Sequence, residues 1–227
     1  MILGNSSIIL FIFLSLFLGN AQISYAVIHI GAAHINGVHI GSDPCAGQSP
    51  GYQVPPYGVI CAGSYNGYKY MILPSGCLDS SCTGAGGGVD SVHKAWANNS
   101  GTSAYNTNTG ATSPDDGKTN TAILTTTIPL GSTNPPYYTD TDAAHWCSNM
   151  NYAGYTDWFL PAENEINFFY SNKATLGGFR LSTYWSSTEN DLTTAWRFSF
   201  INANEQTASK QANTALASFV HCARKYP

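Results

Sequence analysis

Six cysteines, all downstream of an apolar N-terminal segment, limit what this chain can fold into more than any other feature. The segment IILFIFLSLFL (8–18) has the length of a signal-peptide core and is short for a membrane span. Small residues Ser24 and Ala26 follow it, so residues 1–26 are predicted to be a signal peptide cleaved after Ala26, with an uncleaved membrane anchor as the alternative. Six cysteines in an exported chain indicate disulfides.

Two of the disulfides are expected in the first half of the chain. Cys77 and Cys82 are separated by four residues of a polar loop, which they are expected to close. Cys45 and Cys61 would then pair by elimination. No CxxC or Cys/His finger spacing is present, which argues against a zinc finger or a haem attachment site.

The composition suits an extracellular protein that binds through polar loops. Charged residues make up 10% of the chain, against roughly 25% in an average soluble domain. The net charge is −4 and no long charge run exists, so nucleic-acid binding is disfavoured. No membrane span is expected in the mature chain.

Residues 27–56 form a leader with three similar pentapeptides that place His29, His34 and His39 five residues apart. These imidazoles could hold a metal ion. Spacing of five does not align side chains on one face of a helix or strand, so no metal is predicted. The leader is instead expected to be extended and to pair with a neighbouring strand or subunit.

Residues 57–136 are predicted to be a β-hairpin followed by a Cys- and Gly-rich loop extension. Two β-rich runs, 57–65 and 68–73, are joined by Asn66-Gly67, the preferred type I′ turn. The polar stretch 84–121 is expected to be a long ordered loop.

A first helix is predicted to begin near residues 139–141. Its apolar stripe follows the spacing i, i+3, i+4, i+7 through Ala143, Trp146, Cys147 and Met150. His145 lies off this stripe and is expected to be exposed. A disulfide from Cys147 to Cys222 would join this helix to the last strand.

The segment GYTDWFLPAENEINFFY (154–170) is predicted to end the first helix at Gly154 and begin a second one. Pro161 fits the first helical position, and Glu163 and Glu165 complement the helix dipole. Asp157 is expected to cap a turn. Strands are expected within 181–187, 194–201 and 216–223.

Several motifs of the C-terminal half together resemble one known family. They are Trp146-Cys147, GYTDWFLPAENEI (154–166), Gly177-Gly178-Phe179, YWSSTE (184–189), Ala195-Trp196 and Cys222-Ala223-Arg224. In this order they resemble the Lcl C-terminal family, named for the C-terminal domain of a bacterial collagen-like adhesin. The resemblance covers about residues 137–226, so 137–227 is the expected domain.

The resemblance implies an α+β domain of the C-type lectin-like fold, with two helices, antiparallel strands, long loops and disulfide staples. It also implies an exported bacterial surface protein concerned with attachment. In the adhesin, the domain is trimeric and recognises sulfated glycosaminoglycans. This chain has no Gly-X-Y repeat and is acidic, so neither property is carried over; a homo-oligomer remains an open expectation.

The expected function is non-catalytic binding of a glycan or a cell surface. No GxSxG, HExxH or P-loop sequence is present, so catalysis is not predicted. A sulfated ligand would be met by basic side chains of the C-terminal part, namely Arg180, Arg197, Lys210, Arg224 and Lys225. We expect the hydrophobic core to contain four tryptophans, Trp146, Trp158, Trp185 and Trp196.

Two alternatives stay open at this point. Glu189, Asn190 and Asp191 form an oxygen-rich triplet that could hold calcium, although Asx-rich turns are commoner. The chain could also be a structural subunit of a pilus tip, filament or surface assembly, whose N-terminal strand pairs with a neighbouring protomer.

Overall fold

A computed structural model describes residues 33–35, 38–40, 43–77, 82, 92–97, 108–128, 142–210 and 218–227. The predicted signal peptide and His29 lie outside these residues. The strands β1 (Ala33–Ile35) and β2 (Val38–Ile40) pair with each other as an antiparallel hairpin, in which His34 lies opposite His39. The leader is therefore extended at these residues, as expected, and there it pairs with itself.

A four-stranded antiparallel sheet contains the predicted hairpin. Its strands are β3 (Gln53–Val54), β4 (Val59–Tyr65), β5 (Tyr68–Ile72) and β11 (Ala223–Tyr226), in the order β11–β5–β4–β3. Asn66 and Gly67 both adopt positive φ, of 48° and 79°, as a type I′ turn requires. Because β11 pairs with β5, the hairpin and the C-terminal segment share one sheet.

A second sheet has five strands in the order β6–β10–β7–β8–β9. They are β6 (His93–Lys94), β7 (Thr183–Glu189), β8 (Thr194–Ser199), β9 (Asn204–Ser209) and β10 (Ser218–Phe219). The pairings are antiparallel except that of β10 with β7, which is parallel. The strand β9 was not predicted, and the last predicted run is divided between β10 and β11.

Four helices lie in the described residues, where two were predicted. They are α1 (Gly117–Thr127), α2 (Ala143–Ser148), α3 (Glu163–Ser171) and α4 (Lys173–Leu176). The helix α1 lies within the stretch predicted to be a loop. None of the described helices is long and apolar enough to cross a membrane.

Helix α3 begins later than predicted. Its N-cap is Ala162, so Pro161 precedes the helix instead of occupying its first position. Glu163 and Glu165 do lie in the first turn. The helical segment continues through α4 and ends at Gly177, whose φ is 70°. A glycine there avoids the strain that a side chain would bring to that backbone conformation.

Two apolar clusters fill the interior. One is aromatic and lies between the sheets and α3, with Tyr70, Phe159, Phe169, Tyr184 and Phe198 among its members. The other surrounds Trp96, Trp158, Trp185, Leu124 and the Cys147–Cys222 disulfide. Trp158 and Trp185 are thus core residues, as expected, whereas Trp146 and Trp196 are only partly buried.

Three disulfides join Cys45 to Cys61, Cys77 to Cys82 and Cys147 to Cys222, with Cα–Cα distances of 5.7, 4.2 and 5.4 Å. These are the predicted pairs. The last disulfide ties α2 to the residue preceding β11, so it fixes the helix against the edge of the four-stranded sheet. The described residues thus form a disulfide-stapled mixed α/β structure with a four-stranded sheet, a five-stranded sheet and a separate two-stranded hairpin.

Candidate functional site

The GYTDW motif forms a tight turn beside the end of the four-stranded sheet. Tyr152 and Tyr155 exchange two backbone hydrogen bonds, of 3.1 and 3.0 Å. The residues between them, Ala153 and Gly154, have φ values of 56° and 78°. Gly154 therefore occupies a turn position that suits glycine, and it does not end helix α2, which stops at Ser148.

Asp157 has a different role from the predicted turn cap. Its two carboxylate oxygens accept hydrogen bonds from Nε and Nη2 of Arg224, at 2.8 and 3.2 Å. The guanidinium also lies 3.9 Å from the ring centre of Tyr155 and 5.1 Å from that of Tyr226. Asp157 of the motif and Arg224 of the closing Cys-Ala-Arg sequence therefore form one ion pair, and its guanidinium stacks on the ring of Tyr155.

A row of aromatic side chains extends from this ion pair along the surface; we call it the tyrosine strip. Tyr57 packs edge-on against Tyr152 at 5.9 Å, and Tyr152 pairs with Tyr155, which stacks on Arg224. The strip thus consists of Tyr57, Tyr152, Tyr155, Arg224 and Tyr226. Tyr57 is 43% exposed and the other members are partly exposed.

One end of the strip is held by a polar cluster. The hydroxyl of Tyr226 donates to Asp43 at 2.6 Å, and Lys69 forms an ion pair with the same carboxylate at 2.5 Å. Burial alone would raise the pKa of Asp43, but the hydrogen bonds from Lys69 and Tyr226 lower it below the ordinary value. Burial and the bond to Asp43 raise the pKa of Tyr226, so this phenol stays neutral.

A buried carboxylate on α3 was missed by the sequence analysis. Glu165 is fully buried and accepts hydrogen bonds from the Tyr70 hydroxyl at 2.6 Å and from the backbone N–H of Ala162 at 2.8 Å. Its further partners are the N–H of Gly117 and the ammonium of Lys225, both at 3.1 Å. Burial raises the pKa of Glu165 and these bonds oppose the rise. The cluster joins α1, α3, β5 and β11 internally.

Three of the five basic residues that were predicted to bind a ligand form ion pairs within the protein. Lys210 is fully buried and paired with Glu189, and Lys225 pairs with Asp116 at 2.9 Å as well as with Glu165. Arg224 is held by Asp157. The prediction that Lys210 meets an external ligand is therefore wrong, because its ammonium does not reach the surface. Arg180 is exposed and Arg197 half-buried.

The possible calcium triplet is also used internally. Glu189 accepts hydrogen bonds from the N–H groups of Thr109 and Gly110 at 3.0 Å, besides its pair with Lys210. Asp191 instead caps the turn that follows, accepting from the N–H of Thr194 at 2.7 Å. No group of three or more His, Cys, Asp or Glu side chains in the described residues is arranged to hold a metal ion.

The prediction that His145 is exposed is wrong. It is buried instead of exposed, and its Nδ1 lies 2.7 Å from Oδ2 of Asp142, the N-cap of α2. Burial would lower the pKa of His145, but the hydrogen bond and charge of Asp142 raise it overall. The pair helps to fix the short helix that carries Cys147.

A small cavity lies among the described residues. It has a volume of about 10 Å³, room for about one water molecule, and is lined by residues that include Leu73, Trp146 and Val220.

Comparison of the chain with models of known protein families and with curated proteins finds no match.

Proposed function

We propose that this protein is an exported bacterial surface protein that binds glycans without catalysing a reaction, and that it is a divergent relative of the Lcl C-terminal family with a C-type lectin-like fold. The observation that carries the proposal is the tyrosine strip, in which four exposed or partly exposed tyrosines and a stacked guanidinium are linked by ring contacts and backbone hydrogen bonds. Tyrosine rings stack on the apolar faces of sugars, while hydroxyl groups bind their polar edges.

The rigidity of the strip supports this role. Tyr155 is held by a tight turn and by Arg224, and Tyr226 is held by Asp43. A ligand meeting such a surface immobilises few side chains, so less binding free energy is lost to ordering. Three disulfides support export to an oxidising compartment.

Tyr57 allows a sharp test with a matched control. Tyr57 and Tyr68 are 43% and 44% exposed, but Tyr68 lies at the hairpin tip outside the strip. We expect the purified protein to bind neutral oligosaccharides on a glycan array, Tyr57→Ala to weaken that binding about tenfold and Tyr68→Ala to leave it unchanged. An array without signal, or equal losses in the two variants, would refute the proposal.

A structural-subunit function is the second candidate, and the hairpin of β1 and β2 favours it. Because these strands pair with each other in a two-stranded sheet, each keeps one edge for a further strand. Size-exclusion chromatography with and without residues 27–42 tests this function. Loss of an assembled form on deletion would support it, whereas a monomer in both cases would refute it.

A further inference from the structure

Among the residues that the structure describes, Arg197 is the basic residue with neither an ion pair nor an aromatic ring contact. The chain has nine Lys and Arg residues, all of them in the described part. Five of the other eight pair with carboxylates, and three lie over aromatic rings: Lys69, Lys118, Lys210, Arg224 and Lys225, then Lys94, Lys173 and Arg180. Arg197 has neither kind of contact, and its Nε is buried without a hydrogen-bond partner.

The position of Arg197 on β8 gives it neutral neighbours. It lies opposite Trp185 on β7 and opposite Gln206 on β9, so these three side chains share one face of the five-stranded sheet. The indole N–H of Trp185 donates to the backbone oxygen of Lys94, and the amide of Gln206 donates to Asn204. An indole ring and a carboxamide carry no charge, so neither Trp185 nor Gln206 can neutralise the guanidinium.

The nearest acidic residues in sequence or register cannot neutralise Arg197. Glu205 lies opposite Phe198, so it belongs to the other face of the sheet. Glu189 is committed to Lys210 and to backbone N–H groups. No carboxylate in the described part of the chain therefore pairs with Arg197, and partial burial lowers the pKa of its guanidinium.

An uncompensated, half-buried guanidinium is costly to a folded protein, and an anion that binds it recovers this cost. The planar fork of N–H donors matches a carboxylate, with which arginine forms paired hydrogen bonds. A densely sulfated polymer would need several cations together. Here Lys210, Arg224 and Lys225 are engaged in internal ion pairs and Arg180 lies over the Phe219 ring, so Arg197 would meet a single negative charge.

We propose that Arg197 anchors a second ligand site, which takes the carboxylate of an acidic sugar at the partly exposed side chain of Arg197, beside Gln206 on the neighbouring strand. The choice of a sugar rests on the proposed function, whereas the choice of a carboxylate rests on Arg197 alone. The site is separate from the tyrosine strip, which belongs to the four-stranded sheet and its flanking turn.

Titration calorimetry with glucuronic acid, with glucose as the neutral probe, tests the site. We expect glucuronic acid to bind at least roughly tenfold more tightly than glucose, and Arg197→Gln to abolish the difference. Arg180→Gln, which removes an exposed arginine, should leave binding unchanged. Equal binding of the two sugars, unchanged binding in Arg197→Gln, or tighter binding of inorganic sulfate would overturn the proposal.

Thermal unfolding without ligand separates a binding role from a structural one. Because the variant Arg197→Gln removes an unpaired charge, we expect its unfolding temperature to equal or exceed that of the unmodified protein. A clear fall would mean that the arginine stabilises the fold and would overturn the proposal. Glucuronic acid binding is also to be measured in Tyr57→Ala, where it should persist, so a failure of the tyrosine strip would be recognised separately.

Discussion

Asp157 and Arg224 form a two-pronged ion pair across 67 residues of sequence, with Nε–Oδ1 and Nη2–Oδ2 distances of 2.8 and 3.2 Å. The acid comes from the GYTDW turn and the base from the last strand. The Arg224 side chain is 12% exposed, so the pair is largely shielded from water. It links two of the six motifs on which the resemblance to the Lcl C-terminal family rests.

Replacing Asp157 by alanine should destabilise the protein, because Arg224 would remain half-buried without a carboxylate. We expect a loss of about 2 kcal/mol in the free energy of unfolding, measured by urea denaturation. Lys118→Ala is the control, since this exposed side chain is 3.9 Å from the same carboxylate. A similar loss in both variants would contradict a specific role for Arg224.

Replacing Glu189 should lower the free energy of unfolding more than replacing Asp157 does, because Lys210 is fully buried beside Glu189. Glu189→Ala leaves an unpaired buried ammonium, and we expect a loss of about 3–5 kcal/mol. The double variant Glu189→Ala/Lys210→Met should be more stable than the single one, since no charge is left behind. Urea denaturation of both variants measures this difference. A double variant less stable than the single one would contradict a buried ion pair.

Stability should fall as the pH rises from about 4.5 to about 7, because the pKa of Glu163 is raised in the folded protein. Burial and then the neighbouring Glu205 raise the pKa of Glu163 to about 7 in the folded protein, from 4.5. The folded state therefore binds the proton more tightly, and this contribution is lost between about pH 4.5 and pH 7.

Denaturation at pH 5 and pH 7.5 measures this effect. Glu163→Gln should flatten the decline between the two values, and Glu205→Gln should reduce it by removing the repulsion. Asp191→Asn provides the control, because burial of Glu163 is unaffected by that distant turn cap. An unchanged decline in Glu163→Gln would show that another group titrates.

The Cys147–Cys222 disulfide should stabilise the protein more than the Cys77–Cys82 disulfide, because it closes a longer loop. Cys147 and Cys222 are 75 residues apart, and the chain-entropy model gives about 4 kcal/mol for a loop of this length. Cys77 and Cys82 are 5 apart, which gives about 2 kcal/mol. Paired Cys→Ser variants, compared by urea denaturation, should show that order; equal losses would contradict the loop-length argument.

The sequence predicted those elements whose local signals agree with their tertiary environment. Asn66-Gly67 specifies its turn without help from distant residues, and the runs on either side are rich in β-forming residues. The disulfide pairs were also predicted, because Cys77 and Cys82 close a short loop and Cys147 lies on the apolar stripe of a predicted helix. The Asn-Gly turn depends only on neighbouring residues, whereas the pairing of Cys147 with Cys222 was inferred across 75 residues.

Features that depend on tertiary contacts were missed. Helix α1 contains many Thr residues, an Asn and an initial Gly, which favour helix weakly, and its stability comes from packing of Leu124 and from the Asp116 cap. Edge strand β9 is polar and largely exposed, so it lacks an alternating pattern. The burial of Glu165 and Lys210 requires charged partners that lie far away in sequence.

The pairing of β11 with β5 sets the order in which the chain can be completed. The hairpin of β4 and β5 is made early, but one side of β5 has no neighbour until residues 223–226 exist. Those residues also follow Cys222 and carry Arg224 and Lys225, so the disulfide, the Asp157–Arg224 ion pair and the buried network all need the end of the chain. During synthesis from the N-terminus, this side of β5 thus stays unpaired until the last strand is made.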